Sequence, residues 1–302
     1  MEQLSKNTKD FYNNYPFPQL DDKKILENSK KENFKLLSIG IPAELVNKPI
    51  KVLDAGCGTG SFALSFALAN PQSEVTATNI SQKSLDYAEK QANSLGVKNI
   101  NFITADIFDL PEEVISKKYE IVWCRGVLMT TFNPFLGLRI LSKLVKQEHY
   151  MVIGLYHKGR YKVRAMRLVL KLLAGNNSEK RIKLARKLFP KHCEHHVSKG
   201  VESGTRTREL EDVSLADKFA VPKESYHSFT ATNNYLNKLG YKNIYKNVSK
   251  PKNRIRRERV IHAIMSFFPF STRFKEDLAD DIIALTVGKE MLLVTSKKVT
   301  AN

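Results

Sequence analysis

Cysteine is scarce in this chain: three residues, Cys57, Cys124 and Cys193, none close to another in sequence. That excludes a disulfide framework as the source of stability and fits a reducing compartment. Long apolar runs are missing as well. No stretch approaches the ~18 consecutive apolar residues of a membrane span. The opening residues Met1-Glu2-Gln3-Leu4-Ser5-Lys6 lack an apolar signal core, so a cytoplasmic location is expected, with a peripheral membrane position left open. Internal repeats and low-complexity tracts are absent. Negative charge is the most unevenly missing feature. Residues 1–150 carry 18 Lys and Arg against 17 Asp and Glu, whereas residues 151–302 carry 31 against 14. The net +18 of the 302 residues therefore belongs almost wholly to the second half, which suggests an anionic surface, RNA or membrane, as a partner beside the reading of a solvated basic face.

What is present begins with Val52-Leu53-Asp54-Ala55-Gly56-Cys57-Gly58-Thr59-Gly60. A short apolar strand ends in an acid, three glycines alternate, and residues 61–69 read as a helix. Glycines there let the chain bend sharply and approach a ligand without a Cβ in the way. The helix N-terminus behind them offers free N–H groups. Strand, glycine turn and helix in this order form a nucleotide-type site at the carboxyl end of a parallel strand. The spacing is G-x-G-x-G, not the G-x-G-x-x-G of dinucleotide sites. Asp54 is placed to accept hydrogen bonds from an ammonium group, directly or through water.

The turn resembles the first motif of the class I S-adenosylmethionine-dependent methyltransferases, D/E-x-G-x-G-x-G. Further strands follow in step: Glu74–Ile80, Asn101–Ile107, Tyr119–Cys124 and His149–Leu155, with Ser81 as the N-cap of a helix running to about Leu95. The expected fold is therefore α/β, a Rossmann-like, seven-stranded, mostly parallel sheet. In the family its last two strands, here Tyr241–Lys246 and Met291–Ser296, form an antiparallel edge hairpin, in the order 3-2-1-4-5-7-6. The expected organisation is an N-terminal arm or lid over residues 1–48 and a methyltransferase domain over 49–302, with helical insertions at about 156–227 and 250–288. The resemblance implies S-adenosyl-L-methionine as cofactor. It implies cofactor contacts from Asp54, Ala55, Gly56, Cys57, Gly58 and Gly60, from Asn79 and Ile80, from Asp106 and Ile107, and from Cys124. Asn79 stands where relatives carry an acid for the ribose hydroxyls; asparagine still hydrogen-bonds a diol but without charge.

The arm packs Phe11, Tyr12, Tyr15, Pro16, Phe17 and Pro18 into eight residues, a composition suited to a lid that excludes water or to an anchor. With the GCGTG turn and the Gly154-Leu155-Tyr156 run it resembles prokaryotic small-molecule-type methyltransferases over residues 10–160, although Met129 and Thr130 stand where many such relatives have two histidines. Helices are expected at about 160–174, 179–189 and 228–239, and an irregular loop at 192–214. On the first, Arg160, Arg164, Arg167 and Lys171 recur along one face, to lie on anionic lipid, touch phosphates or simply be wet. The second insertion holds Arg254–Arg259 and Phe267-Phe268-Pro269-Phe270.

Methyl transfer from a sulfonium needs proximity, alignment and a dry pocket more than a general base. Candidate catalytic residues by position are Tyr15, Tyr156 and His157, with Tyr12 beside them. No metal is expected: the ligand-rich run His192-Cys193-Glu194-His195-His196 has no second cluster to complete a site. Asn133-Pro134-Phe135 lies too far past the fourth strand for the base-amino-methylating signature. The expected function is methyl transfer to a small-molecule or lipid-like acceptor at O, N or C. The alternatives are an RNA methyltransferase using the basic half and a non-catalytic basic binding module on this fold.

Overall fold

The computed structural model describes residues 2–200, 207–247, 272–286 and 290–300. Seven strands form one sheet in the order β3-β2-β1-β4-β5-β7-β6. These are β1 Lys51–Ala55, β2 Glu74–Asn79, β3 Ile100–Thr104, β4 Tyr119–Arg125, β5 Val145–Tyr156, β6 Tyr241–Lys246 and β7 Met291–Lys298. β1 to β5 pair in parallel, while β7 runs antiparallel to both β5 and β6. The expected sheet and its edge hairpin are present.

Alternation explains how one strand serves two layers. Val52 and Leu53 of β1 are both fully buried but enter different core clusters, one with Ile121 and Val152, the other with Val122, Met151 and Ile153. Helices α4 Ser61–Ala69 and α5 Gln82–Ser94 follow β1 and β2. The Ser81 side chain accepts from the Ser84 N–H and so caps α5, as the sequence predicts.

Two expectations are corrected. Residues 192–214 are not an irregular loop: α10 Pro190–Gly200 and α11 Arg208–Phe219 occupy most of them, with Thr207 capping α11. α10 has a mostly polar sequence held by Cys193 and Val197, two small buried residues one turn apart, which leaves little apolar periodicity to read. It packs with α8 Tyr161–Ala174, α9 Ser178–Leu188 and α11 around Val163, Leu170, Ile182 and Phe219, forming a helical cap.

The arm is also more regular than its composition suggests. α1 Glu2–Asn14 carries Phe11 into the cap's core, and α2 Asp22–Ser38 and α3 Ala43–Val46 lead to β1. Half of the basic stripe of α8 is the second correction, since Arg164 and Lys171 stay exposed while the other two turn inward. Arg160, its N-cap, is buried on Glu290 (2.8 Å), and Arg167 donates to the Lys218 (3.1 Å) and Val221 (2.6 Å) carbonyls and pairs with Glu224 at 3.2 Å. These cations are drawn inward because their acidic partners lie far downstream in the chain. The remaining elements are α6 Glu112–Ile115, α7 Pro134–Ser142, α12 Phe229–Lys238 and α13 Thr272–Thr286. The motifs at 254–259 and 267–270 lie outside the described residues, and no described helix is long and apolar enough to cross a membrane.

Candidate active site

The carboxyl ends of β1, β2 and β4 open onto a cavity of about 450 Å³. Its wall includes Asp54 at the end of β1, Gly56, Cys57 and Gly58 from the glycine turn, Asn79 and Ile80 at the end of β2, and Asp106 and Ile107 after β3. The sequence-predicted residues Ala55, Gly60, Cys124, Tyr15 and His157 are not part of that wall. Gly60 instead caps α4 in the left-handed region, and Cys124 is buried in the sheet. Tyr15 packs on Phe11 beneath the cap, and His157 is completely buried.

Asp54 dominates the electrostatics. Burial pushes its carboxyl up to about 8, against the lowering effect of the Ala63 N–H and with a further upward push from Glu32. Its Oδ2 is buried and has no hydrogen-bond partner. An orphaned carboxylate oxygen facing a cavity suits an ammonium group, which would supply both the missing bond and the missing charge.

Glu32, Arg125 and Asp217 are among the wall residues that nothing in the sequence pointed to. Glu32 of α2 is buried and also raised in pKa by burial, with Lys35 at 3.0 Å opposing the rise. The Arg125 guanidinium, at the end of β4, is held down by desolvation and up by Glu32. Together with Asp54 they present both charge signs at one end of the cavity, as an amino-acid zwitterion needs. Asp217 of α11 also lines the cavity, pushed up to about 6 by burial, against Arg160, and accepts from the Tyr12 hydroxyl at 3.2 Å. Tyr156 shares this wall, with the Arg160 guanidinium 4.0 Å above its ring. The signals in the sequence were Tyr12's place in the aromatic arm and Tyr156's at the end of a strand, and both residues line the cavity; the acids arrive through tertiary approach.

Asn79 uses its side-chain oxygen to accept from the Ser81 N–H at 2.8 Å, which leaves its NH2 group as the donor toward the cavity. Asp106 accepts from the Phe108 N–H at 3.0 Å. Trp123 and Phe62 stack at 4.0 Å and form an apolar wall. The arm closes over the turn: Thr59 donates to the Pro18 carbonyl, and a Cβ on Gly58 would sit 2.3 Å from the Phe17 carbonyl oxygen. Gly58 also has φ +59°, so Gly58→Ala must strain the turn and expel the arm. The expected result is cofactor affinity weakened about tenfold or more, read by calorimetric titration.

A family model described as a methyltransferase domain matches residues 46–211, more than half of the chain. The chain belongs to the S-adenosylmethionine-dependent class I methyltransferases. A Synechococcus protein of uncharacterized function is 27% identical to this chain over 180 residues, 58% of this chain and 43% of that protein. Among solved structures, PKMT2 from Rickettsia typhi superposes with a TM-score of 0.66 at 15% identity, covering 95% of this chain and 57% of its own. Magnesium protoporphyrin IX methyltransferase from Synechocystis gives 0.51 at 15% identity over 98% and 99% of the two chains. The chain thus spans less than two thirds of the length of the Synechococcus and Rickettsia proteins, and at these identities the structural likeness is one of fold. Among its described residues no group of three or more His, Cys, Asp or Glu is placed to hold a metal ion; His196 of the ligand-rich run meets the Ser214 carbonyl at 3.2 Å.

Proposed function

We propose that the protein transfers the methyl group of S-adenosylmethionine to a small-molecule or lipid-like acceptor bound in the same cavity. The observation that carries this reading is the continuity of the cavity. One space of about 450 Å³ is lined both by the glycine turn and by Tyr12, Tyr156 and Asp217. The volume falls within the usual range of small-ligand sites. The covering of the turn by the Phe17–Pro18 segment also favours an acceptor that is enclosed over one that remains a polymer outside.

The residues fit the cofactor. Asp54, with Glu32 behind it, would hold the ammonium group and Arg125 the carboxylate. The Asn79 amide would donate to the ribose, and Asp106 and Ile107 would face the adenine. S-adenosylmethionine supplies a methyl group already activated by its sulfonium charge. The protein's task is then alignment and exclusion of water, which the stacked Trp123 and Phe62 and the arm serve. Asp217 would take the proton of an acceptor hydroxyl or ammonium, with Tyr12 orienting it.

At a pKa of about 6, Asp217 is ionised at neutral pH and loses that capacity as pH falls through 6. Asp217→Asn is accordingly expected to lower turnover by roughly 10²–10⁴-fold and to erase the acid limb of the pH–rate profile, for an acceptor with a proton to lose. The function itself is tested by incubating the protein with methyl-labelled S-adenosylmethionine and a cell extract separated into small-molecule, lipid, protein and RNA fractions. Label in small molecules or lipids supports the reading; label confined to RNA or protein overturns it.

A further inference from the structure

Helix α8 turns part of its apolar surface outward. Val163, Leu170 and Ala174 are buried against the cap and Arg167 points inward, while Leu172, Leu168 and Leu173 are 78%, 59% and 53% exposed. Tyr161 and Val169 extend the same stripe, so about three helical turns present apolar side chains to the outside. Lys162 and Lys171 on α8 are exposed with it, as are Lys180 and Lys187 on the neighbouring α9. None of the four has an ion-pair partner among the described residues, in contrast to Arg160 and Lys218, which pair with Glu290, Arg167, which pairs with Glu224, and Arg186, which pairs with Glu211.

We propose that the outer face of α8 docks the protein on an anionic lipid surface, with the leucines among the acyl chains and the lysines on the headgroups. Charge complementarity selects this occupant. A nucleic acid offers phosphates for the lysines and nothing for three exposed leucines. A second copy offers leucines, but an isologous contact through this stripe brings like-charged lysines together on chains of net charge +18. An anionic bilayer answers both chemistries at once. α8 also begins a few residues after Tyr156, so the lipid-facing helix and a cavity wall residue belong to one short stretch of chain. The docking surface itself stands apart from the methyl-transfer reading.

The test is flotation of the full chain with vesicles of phosphatidylcholine alone or mixed with phosphatidylglycerol. Binding is expected to the mixed vesicles and about tenfold weaker, or absent, on phosphatidylcholine. Leu168→Gln with Leu172→Gln is expected to cut partitioning about tenfold or more, and Lys162→Glu with Lys171→Glu by at least roughly fivefold per charge. Calorimetric binding of S-adenosylhomocysteine serves as the folding control for each variant, so failure of the cofactor site is seen separately. In Leu172→Trp, the tryptophan emission should shift to the blue on mixed vesicles only. Unchanged partitioning of the leucine variant would overturn the proposal. So would RNA binding without vesicle binding, or a wild-type dimer in solution that the leucine substitutions dissolve.

Discussion

Asp54→Asn is expected to abolish measurable S-adenosylmethionine binding and, near pH 8, to raise the melting temperature of the ligand-free protein. Both effects come from one buried carboxyl. Its folded pKa of about 8 lies far above the ordinary aspartate value because burial penalises the charge and the adjacent Glu32 adds to the penalty. The folded state therefore holds a proton that the unfolded chain releases near pH 4. Stability from this group is fully present below that value and is lost as pH rises toward 8. Asparagine is neutral throughout and escapes the loss. With relaxation and water entry the gain is about 1–3 kcal/mol near pH 8, several degrees of melting temperature for a chain of this size. The same change removes the charged partner of the ligand's ammonium, about 3–5 kcal/mol or more than a hundredfold in affinity. Binding to the wild type should release a proton as Asp54 ionises, visible as a buffer-dependent calorimetric enthalpy. An Asp54→Asn variant that bound the cofactor normally would remove Asp54 from the site.

Asp281→Ala carries the largest expected loss of stability, about 3–5 kcal/mol in urea denaturation. The Asp281 carboxylate of α13 accepts from the Phe229 N–H (2.6 Å), the Thr230 N–H (3.1 Å) and hydroxyl (2.6 Å), and His157 Nε2 (3.1 Å). It thereby joins α13 and the first turn of α12 to the residue that follows β5. His157 Nδ1 accepts from the Gly159 N–H at 2.9 Å, so its proton sits on Nε2 and is given to Asp281. That bonding, with complete burial, makes His157 a structural residue and not the catalytic candidate that its position after a strand suggested. Burial alone would raise the Asp281 pKa, but the bonds from His157, Thr230 and Phe229 outweigh it and hold it below the usual carboxylate value. Its contribution is therefore present above the unfolded pKa and lost as pH falls through the lowered folded value. Wild-type stability should drop on acidification where Asp281→Asn shows a flatter profile. Asp54 and Asp281 thus act with opposite sign at opposite ends of the pH range.

The parts legible in the sequence are those whose information is local. Alternating or continuous apolar runs located the strands, and the Gly56, Gly58 and Gly60 spacing with Asp54 before it located the turn, because each is set by neighbours a few residues away. Ser81 was readable for the same reason. Glu32, Arg125 and Asp217 were not, since nothing near them in the chain marks them; they become wall residues only when α2, β4 and α11 meet around one cavity. α8 shows the limit most clearly. Its periodicity says which residues share a face, but which face turns inward is decided by Glu224 and Glu290, acids far along the chain that draw Arg160 and Arg167 under the cap and leave Leu168 and Leu172 outside. α10 was hidden because two small buried residues, Cys193 and Val197, suffice to hold it.

The central claim is that the cavity beside Asp54 binds S-adenosylmethionine. It is tested most directly by calorimetric titration of the full chain with S-adenosylmethionine and S-adenosylhomocysteine at low and high salt. Saturable, one-to-one binding is expected, with a Kd in the micromolar range, about −8 kcal/mol, and little salt dependence, because Asp54 and Glu32 are buried. No binding by folded protein, or binding that fades steeply with salt, would contradict it.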